Sequence, residues 1–222
     1  SHILLTKVSY KLFTENHVFD DLTDKQSKIL IAAIKVFAEK GYSNSSTKEI
    51  AEEAGVAEGN IFSRFTNKRG LLQAIIDPVI QSIFPATLNK FTDAQIVDKY
   101  TTLHAFIEAS VKDRVRFMEE NADVLKIFMA EMIYDDQLRA DFQDQFASSA
   151  TFYLENINRN LSMFKANQFL VNWANTEILR IMWSVVAGLA VSYLFFKQPV
   201  TSTEINHTVD ALTKALSQKM VD

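Results

Sequence analysis

Turn-forming residues are scarce in this chain, whose 222 residues include five glycines and three prolines. A sheet protein needs a turn between most pairs of strands, and glycine and proline supply many of those turns. Apolar residues recur instead at helical spacing, as in residues 23–40, where Ile29, Ala33, Val36 and Phe37 share one face. The chain is therefore predicted to have an all-α fold with about nine helices.

The amino-acid composition excludes several kinds of functional site. Hydrophobic residues at 48% and charged residues at 23% are typical of a soluble globular protein. The absence of cysteine excludes disulfides, thiolate metal sites and a cysteine nucleophile. The four histidines lack the i, i+4 spacing of a helical metal pair, and neither a glycine-rich phosphate loop nor a G-x-S-x-G motif is present. We expect a protein with no enzymatic activity, no metal and no other cofactor.

The longest uncharged run covers the sixteen residues 181–196, between Arg180 and Lys197. At about 1.5 Å per residue this run spans roughly 24 Å, less than the 30 Å of a hydrocarbon core. Residues 3–13 lack the uninterrupted apolar core of a signal peptide. We expect a cytoplasmic protein with no membrane segment, in which the run is a buried helix at the centre of a bundle or in a subunit interface.

Residues 46–72 hold two short helical patterns separated by a glycine. Ser46 and Glu49 form an S-x-x-E capping box that begins the first helix. Gly55 ends that helix, because glycine adopts the left-handed C-cap conformation without steric cost. Two short helices joined by a tight turn form a helix-turn-helix motif. In the second helix the inward-facing residues are predicted to be Ile61, Phe62 and Phe65.

The stretch FAEKGYSNSSTKEIAEEAGVAEGNIFSRFTNKRGLL, within residues 29–75, resembles the TetR family of bacterial transcriptional regulators. It has the family's Gly-Tyr turn, Thr-led helix, A-x-x-A-G-V motif and Lys before two leucines. The resemblance covers about a fifth of the chain. It implies an amino-terminal DNA-binding domain and a larger domain that binds a ligand and dimerises through its last two helices.

The same resemblance assigns roles to single residues. It places Thr47 on a phosphate, Lys68 on the DNA backbone and the second helix in the groove, where Asn60 suits adenine and Arg64 suits guanine or a phosphate. The chain departs from the family at Phe62, where a tyrosine is usual, and at Arg64, where histidine is frequent. A helix-turn-helix can also be purely architectural. The candidate DNA-binding residues are Ser46, Thr47, Lys48, Glu58, Gly59, Asn60, Phe62, Ser63, Arg64, Thr66 and Lys68.

Charge is distributed unevenly along the chain. Residues 24–77 contain eight basic and seven acidic residues, and residues 78–222 contain thirteen and seventeen. Because non-specific DNA affinity comes from neutralised phosphates, DNA binding has to rely on a few well-placed contacts. We expect a DNA-binding domain at 23–77 and an effector-binding and dimerisation domain at 78–222. Residues 1–22 form an extension, either an extra helix or an arm that uses Lys7 and Lys11.

Aromatic side chains are concentrated beyond Pro78, with twelve of the seventeen phenylalanines and both tryptophans. Together with methionines they either form an ordinary core or line a deformable apolar pocket. A pocket of this kind favours a small apolar or amphipathic effector, whose polar end would meet His104, Asn172 or Arg180. The candidate ligand-binding residues are Phe106, Phe117, Phe128, Met129, Met132, Phe152, Tyr153, Trp173, Met182 and Trp183.

The last two helical segments, residues 172–197 and 202–220, contain small residues suited to close helix packing. They form either a dimer interface or the centre of a monomeric bundle. Between the two domains, Pro78 marks either a hinge or a plain helix end. The candidate interface residues are Ala187, Gly188, Val191, Leu212 and Leu216.

Taken together, these features predict a homodimeric repressor that binds a palindromic double-stranded DNA operator and is released by a small lipophilic effector. Two alternatives stay open. One is a DNA-binding regulator controlled by a protein partner. The other is a helical binding or scaffold protein with weak DNA affinity, which the carboxylate of Glu58 and the low basic charge favour.

Overall fold

The computed structural model describes residues 11–87, 100–149 and 151–218. Within these ranges the chain has no strand and one isolated bridge, between Leu170 and Ser217. The all-α prediction is confirmed. A five-residue π-helical turn, Val79–Ile83, follows α5. The eleven α-helices of the described residues are α1 Lys11–Glu15, α2 Asp24–Lys40, α3 Thr47–Ala54, α4 Gly59–Phe65, α5 Lys68–Pro78, α6 Leu103–Glu120, α7 Ala122–Tyr134, α8 Asp136–Ser149, α9 Thr151–Ala166, α10 Asn175–Phe196 and α11 Ser202–Leu216.

Helix boundaries in the first third of the chain follow local sequence signals. Thr23 caps α2, because its hydroxyl accepts from the Gln26 amide at 3.3 Å while the Gln26 side chain accepts from the Thr23 amide at 3.0 Å. Gly41 ends α2 at a φ of 81°. Gly55 ends α3 in the left-handed conformation, at a φ of 67° and a ψ of 36°. The predicted end of α3 at Gly55 is confirmed.

Pro78 is the last residue of α5, and the helical path continues past it. Its φ of −60° and ψ of −35° are helical, and the π-helical turn leads on to helical residues 84–87. Proline has no N–H to donate to the carbonyl four residues earlier, and the π-helical turn changes the hydrogen-bond register directly after it. The expectation of a plain helix end at Pro78 is wrong, and the hinge stays a hypothesis.

By packing, the chain divides into two compact units, of which the first is discontinuous in sequence. It comprises residues up to Ala86 and Glu120–Ser149. In this unit α7 packs against α2 and α5, and α8 packs against the π-helical turn. Ile34 and Ile50, both 0% exposed, lie in its core. The functional boundary expected after residue 77 differs from this division by packing and stays a prediction.

The amino-terminal extension contributes the short helix α1 to the first unit. Phe13 is 1% exposed, and its ring lies 5.9 Å from the ring of Phe19, centroid to centroid. These contacts favour the extra-helix interpretation for residues 11–15. Lys7 and the side chain of Lys11 lie outside the described residues.

The second unit comprises residues 87–119 and 150–222, within which α6, α9, α10 and α11 are described. Phe106 and Phe164 are both 0% exposed, with ring centroids 5.7 Å apart. Thr201 caps α11 by accepting from the Glu204 amide at 3.1 Å, as its T-x-x-E pattern predicts.

The 22-residue helix α10 contains the uncharged run of residues 181–196. It begins before that run and therefore also includes Glu177 and Arg180. It is long and apolar enough to cross a membrane by length and composition, and 17% of its most apolar window is buried. Val185 is 37% exposed and Phe196 is 69% exposed. The expectation of a helix buried at the centre of a bundle is therefore wrong for the described chain. The alternative, a helix in a subunit interface, stays a prediction.

Candidate nucleic-acid interface

The amino terminus of α3 is capped and faces solvent. The hydroxyl of Ser46 accepts from the Glu49 amide at 3.2 Å, and the Glu49 carboxylate accepts from the Ser46 amide and hydroxyl at 2.9 Å each. The Lys40 ammonium, together with these Ser46 bonds, lowers the pKa of Glu49. Ser46 and Lys48 are exposed, and Thr47 is half-buried. The first-turn N–H groups here have no intrahelical acceptor and carry partial positive charge, which suits a phosphate.

Thr47 and Glu58 tie the start of α3 to the start of α4. The Thr47 hydroxyl donates to Glu58 Oε1 at 2.5 Å. Glu58 makes no side-chain cap bond to α4, because its carboxylate is turned towards α3. A hydroxyl has one proton to donate, so Thr47 cannot also donate to a phosphate in this conformation. A phosphate contact by Thr47 requires Glu58 to release the hydroxyl.

The helix α4 buries one face and exposes the other. Ile61 is 0% exposed and Phe65 is 6% exposed, whereas Phe62 is 48% exposed. The expectation that Phe62 turns inward is wrong, because residues 61 and 65 already occupy the inner face and residue 62 lies about 100° further round the helix. Phe62 thus presents a large aromatic ring on the surface that the motif offers to a partner.

Polar side chains on α4 are held by weak local bonds that DNA could replace. The Asn60 side-chain amide donates to the Ala57 carbonyl at 3.0 Å, and the Ser63 hydroxyl donates to the Asn60 carbonyl at 2.9 Å. Arg64 is exposed in the last turn. At Gly59 an added Cβ would meet no atom within 4 Å, so the space above the first turn is open.

Lys68 is anchored inside the motif. Its ammonium donates to the carbonyls of Tyr42 and Ser45, both at 2.8 Å, and lies 4.5 Å from the centre of the Tyr42 ring. These bonds hold the segment that leads into α3 against the start of α5. The resemblance assigned Lys68 to the DNA backbone, and the structure gives it this positioning role as well. An ammonium has three N–H groups, and two of them donate to these carbonyls. The third N–H of Lys68 can donate to another acceptor.

The turn between α4 and α5 is unusually tight. Thr66 adopts a φ of 65° and a ψ of −46°, and the Asn67 amide donates to the Phe65 carbonyl at 2.7 Å, which closes a γ-turn. At Gly70 an added Cβ would lie 1.8 Å from the Phe65 carbonyl oxygen. Only glycine therefore permits this approach of α5 to the end of α4. Sequence reasoning missed Gly70, because a glycine inside a helix has no distinctive local signal.

The motif brings all eleven predicted DNA-binding residues to one region, formed by the α3 amino terminus, α4 and the turn into α5. Their contact with DNA stays a prediction. Seven are exposed: Ser46, Lys48, Gly59, Phe62, Ser63, Arg64 and Thr66. Four are half-buried: Thr47, Glu58, Asn60 and Lys68.

Residues 29–75 match the family model of bacterial regulatory proteins, tetR family. Residues 29–75 are thus a TetR-type amino-terminal domain. The fatty acid metabolism regulator protein of Bacillus subtilis is 46% identical over 48 residues, 22% of this chain and 25% of that protein. The nucleoid occlusion factor SlmA of Actinobacillus pleuropneumoniae is 25% identical over 173 residues, 72% of this chain and 82% of that protein. The matches to the first curated relatives span about a quarter of their length.

The fold of most of the chain is shared with solved structures of transcriptional regulators. NalD, the secondary repressor of the MexAB-OprM multidrug efflux pump in Pseudomonas aeruginosa, superposes with a TM-score of 0.62 over 90% of this chain and 100% of that chain. The identity is 21%, so this likeness concerns the fold alone. The relatives and neighbours named here are regulators or DNA-associated factors by description.

The second unit contains a cavity between α6, α9 and α10. Its volume is about 30 Å³, room for roughly one water molecule. Four predicted ligand-binding residues line it: Phe106, Tyr153, Met182 and Trp183. Lining residues that sequence reasoning missed include Ser110, Arg114 and Leu179.

The other predicted ligand-binding residues do not line this cavity. Phe128, Met129 and Met132 lie on α7, in the first unit, where Phe128 packs against Phe142 with ring centroids 5.4 Å apart. A ligand contact by these three residues stays a prediction. Trp173 is 47% exposed, and Phe117 lies on α6 beside Arg114 rather than in the cavity wall. The side chain of Phe152 lies outside the described residues.

The three residues predicted to meet the polar end of a ligand do not line this cavity either. His104 is exposed and lies 3.4 Å from Asp210, and both Asn172 and Arg180 are exposed. The polar residue in the cavity wall is Arg114. A signal for it was present in the sequence, because Arg114 interrupts the apolar stripe of α6 formed by Val111, Val115 and Met118.

The predicted dimer-interface residues divide into two groups. Ala187, Gly188 and Val191 on α10 are exposed, with Val191 at 37%. Leu212 and Leu216 on α11 are 3% and 0% exposed. The expectation that these two leucines meet a partner is wrong, because the second unit already buries them. Among the described residues, no group of three or more metal-binding side chains is close enough to hold an ion.

Proposed function

We propose that the chain is a transcriptional repressor that binds a palindromic DNA operator as a homodimer and is released by a small amphipathic effector. The observation that supports the proposal most directly is the helix-turn-helix of α3 and α4, in which a capped, solvent-facing helix start adjoins an exposed polar helix face. This geometry is the one that places a recognition helix in the major groove. The amino-terminal match to TetR regulators supports the same function.

Two kinds of DNA contact follow from the positions of the side chains. Contacts to phosphates are suited to Ser46, Lys48 and the remaining N–H of Lys68. These contacts set the affinity for DNA and the dependence of that affinity on salt. Asn60 and Arg64 on α4 are suited to base edges, which sets the preferred sequence. Phe62 offers an apolar contact to a thymine methyl group.

Dimerisation accounts for the exposed apolar surface of α10. Val191 and Phe195 are 37% and 39% exposed, and Ala187 and Gly188 allow another helix to approach closely. A soluble chain seldom leaves a surface of this kind uncovered. A two-fold dimer would place two recognition helices about 34 Å apart, one duplex turn. We propose a cytoplasmic homodimer in which α10 meets its counterpart, with no insertion in a membrane.

An effector of lipophilic or amphipathic character is supported by the aromatic cavity and by the fatty acid metabolism regulator protein among the relatives. To release DNA the effector has to bind one conformation more tightly than the other, by several kcal/mol for a near-complete switch.

Selection of random duplex DNA by the purified protein, followed by affinity measurements at two salt concentrations, tests this function. A palindrome with half-sites about one turn apart and a steep salt slope is the expected outcome. Replacing Lys48 should weaken binding to every sequence, whereas replacing Asn60 should change the preferred sequence. A failure to enrich any sequence would contradict the proposal.

A second candidate function is favoured by the likeness to the nucleoid occlusion factor, which extends over 72% of this chain. In that case a DNA-binding protein acts through a protein partner rather than a small effector. The two candidates differ in where the protein binds fragments of its own genome. A repressor should select one or a few promoter regions, whereas a protein that acts on the nucleoid should select many sites across the genome.

A further inference from the structure

Arg114 is a buried cation in a wall that is otherwise apolar. Its side chain is 8% exposed, and its guanidinium carbon lies 5.4 Å and 6.0 Å from the ring centres of Phe117 and Trp183. Among the described residues that line the cavity, Arg114 alone carries a charge. Taking a guanidinium out of water costs several kcal/mol unless it is paired, and an apolar side chain of similar volume is often more stable in such a place. A packing role alone therefore does not explain the arginine.

Asp113 compensates the charge of Arg114, but the two side chains are unequally buried. Asp113 Oδ2 accepts from Arg114 Nε at 2.9 Å and also from Nη2. The Asp113 side chain is 25% exposed, three times the 8% of its partner. If another anion paired with Arg114, Asp113 could return to water, whereas Arg114 could not. The pair is thus suited to an exchange in which an incoming carboxylate replaces Asp113.

Tyr153 supplies a neutral donor in the same cavity. It is 5% exposed, and burial raises the pKa of its hydroxyl to about 12, an effect that the Arg114 charge partly opposes. The phenol therefore keeps its proton at physiological pH and can donate to an anionic oxygen. The Ser110 hydroxyl already donates to the Phe106 carbonyl at 2.8 Å, so it is satisfied within its own helix.

We propose that the cavity binds a monoanionic amphiphile, whose carboxylate pairs with Arg114 in place of Asp113 and whose apolar chain lies against Phe106, Met182 and Trp183. This inference rests on the proposed function in one respect, that the ligand is the effector. The cavity volume of about 30 Å³ holds roughly one water molecule, so the ligand has to displace side chains, and the flexible Met182 side chain can move to admit a chain. A neutral or cationic molecule would leave the pair of Arg114 and Asp113 unchanged.

Direct binding to the DNA-free protein tests the proposal. The chain has two tryptophans, so Trp173→Phe leaves Trp183 in the cavity wall as the sole fluorescent reporter. The probes are straight-chain carboxylates of six, ten and sixteen carbons, each compared with the alcohol and the trimethylammonium of equal length below their micelle-forming concentrations. At least one carboxylate should bind roughly tenfold or more tightly than its matched alcohol. Equal binding of every matched pair would overturn the proposal.

Substitutions of the ion pair distinguish ligand recognition from a structural role. Arg114→Met should weaken carboxylate binding roughly tenfold to a hundredfold and leave alcohol binding unchanged. Asp113→Asn should tighten carboxylate binding several-fold, because it removes the competing anion. A purely structural pair would leave the preference for carboxylate over alcohol unchanged in both variants. If Arg114→Met does not fold, the preference for carboxylate over alcohol is measured in Asp113→Asn and Arg114→Lys instead.

The operator assay separates this inference from the proposed function. Operator binding without any carboxylate preference would overturn the ligand site and leave DNA binding intact. Carboxylate binding that requires Arg114 but leaves operator affinity unchanged would support the site and contradict its effector role.

Discussion

At the scale of single residues, Gly59 and Gly70 in the helix-turn-helix region have opposite surroundings. An added Cβ at Gly70 would lie 1.8 Å from the Phe65 carbonyl oxygen, whereas at Gly59 it would meet nothing within 4 Å. Gly70→Ala should therefore lower the free energy of unfolding by roughly 2–3 kcal/mol or more, because backbone has to shift. Urea denaturation measures this loss. A Gly70→Ala variant as stable as the parent would contradict the tight approach of α5 to α4.

Gly59→Ala is the matched control, and it should behave in the opposite way. Alanine in a helix is more stable than glycine by up to about 1 kcal/mol, so the free energy of unfolding should stay equal or rise. If the first turn of α4 approaches DNA, the same methyl group should reduce operator affinity. A stable Gly59→Ala variant with unchanged operator affinity would show that DNA does not approach the first turn of α4.

Glu58 and Thr47 provide a second test at this scale. Glu58→Ala removes a carboxylate from the proposed interface and frees the Thr47 hydroxyl to donate to a phosphate. We expect operator affinity at low salt to rise by roughly threefold to tenfold, equivalent to about 1 kcal/mol. In the double variant with Thr47→Val part of this gain should disappear. Weaker binding by Glu58→Ala, confined to sequences with one particular base, would instead indicate that Glu58 reads a cytosine.

Local residue roles could be predicted from the sequence, and long-range roles could not. Ser46 and Gly55 act on atoms within a few residues, so their patterns sufficed. Lys68 bonds to carbonyls 26 and 23 residues away, and the tight fit at Gly70 depends on the turn before it. Arg114 could be noticed as an interruption of an apolar stripe, but its cavity is formed by three helices.

At the scale of secondary-structure elements, the carboxyl end of α7 has two carboxyl groups with opposite pKa shifts, Glu131 in the last turn and Asp135 at the C-cap. Burial and then the Asp135 charge raise the pKa of Glu131, whereas the Arg69 side chain lowers the pKa of Asp135. A raised folded-state pKa means that Glu131 contributes stability below its ordinary pKa of 4.5, and that this contribution is lost as the pH rises through the folded-state value. At neutral pH the ionised Glu131 therefore destabilises the fold, as expected for a carboxylate near a helix carboxyl terminus.

Glu131→Gln should consequently raise the melting temperature at pH 7 by roughly 1–3 °C, since the amide resembles the protonated acid. At pH 4, where the acid is protonated in both states, the variant and the parent should melt together. Asp135→Asn should have the opposite effect at pH 7, because the lowered pKa of Asp135 stabilises the fold above its ordinary value of 3.8. Circular dichroism melts at the two pH values check both signs. A lower melting temperature for Glu131→Gln at pH 7 would show that attraction to Arg69 dominates.

Helix type could be predicted more reliably than helix exposure. The apolar pattern identified α4 and α10 as helices, but Phe62 and most of α10 are exposed where burial was expected. Periodicity reports which residues share a face, and it does not report what covers that face. A face covered by a partner molecule and a face covered by the same chain have the same pattern.

At the scale of the whole molecule, the exposed face of α10 predicts the oligomeric state. Val191→Glu places a charge in the proposed interface and should convert the dimer to a monomer, with a large loss of operator affinity because one half-site is given up. Val191→Ala is the control that trims the side chain without adding charge, and it should remain dimeric. Light scattering coupled to gel filtration measures the mass of each variant. A dimeric Val191→Glu variant would exclude this face of α10 from the interface.

The discontinuous first unit has a consequence for synthesis of the chain. The helices α2 and α5 pack against α7, and the unit is closed by residues up to Ser149. Domains fold during translation only as fast as their parts emerge, at roughly 5–20 residues per second. The DNA-binding motif, although complete in sequence by residue 75, cannot finish its core until about seventy more residues have left the ribosome. Ribosome-bound nascent chains that end soon after α5 should therefore remain open to proteases and chaperones.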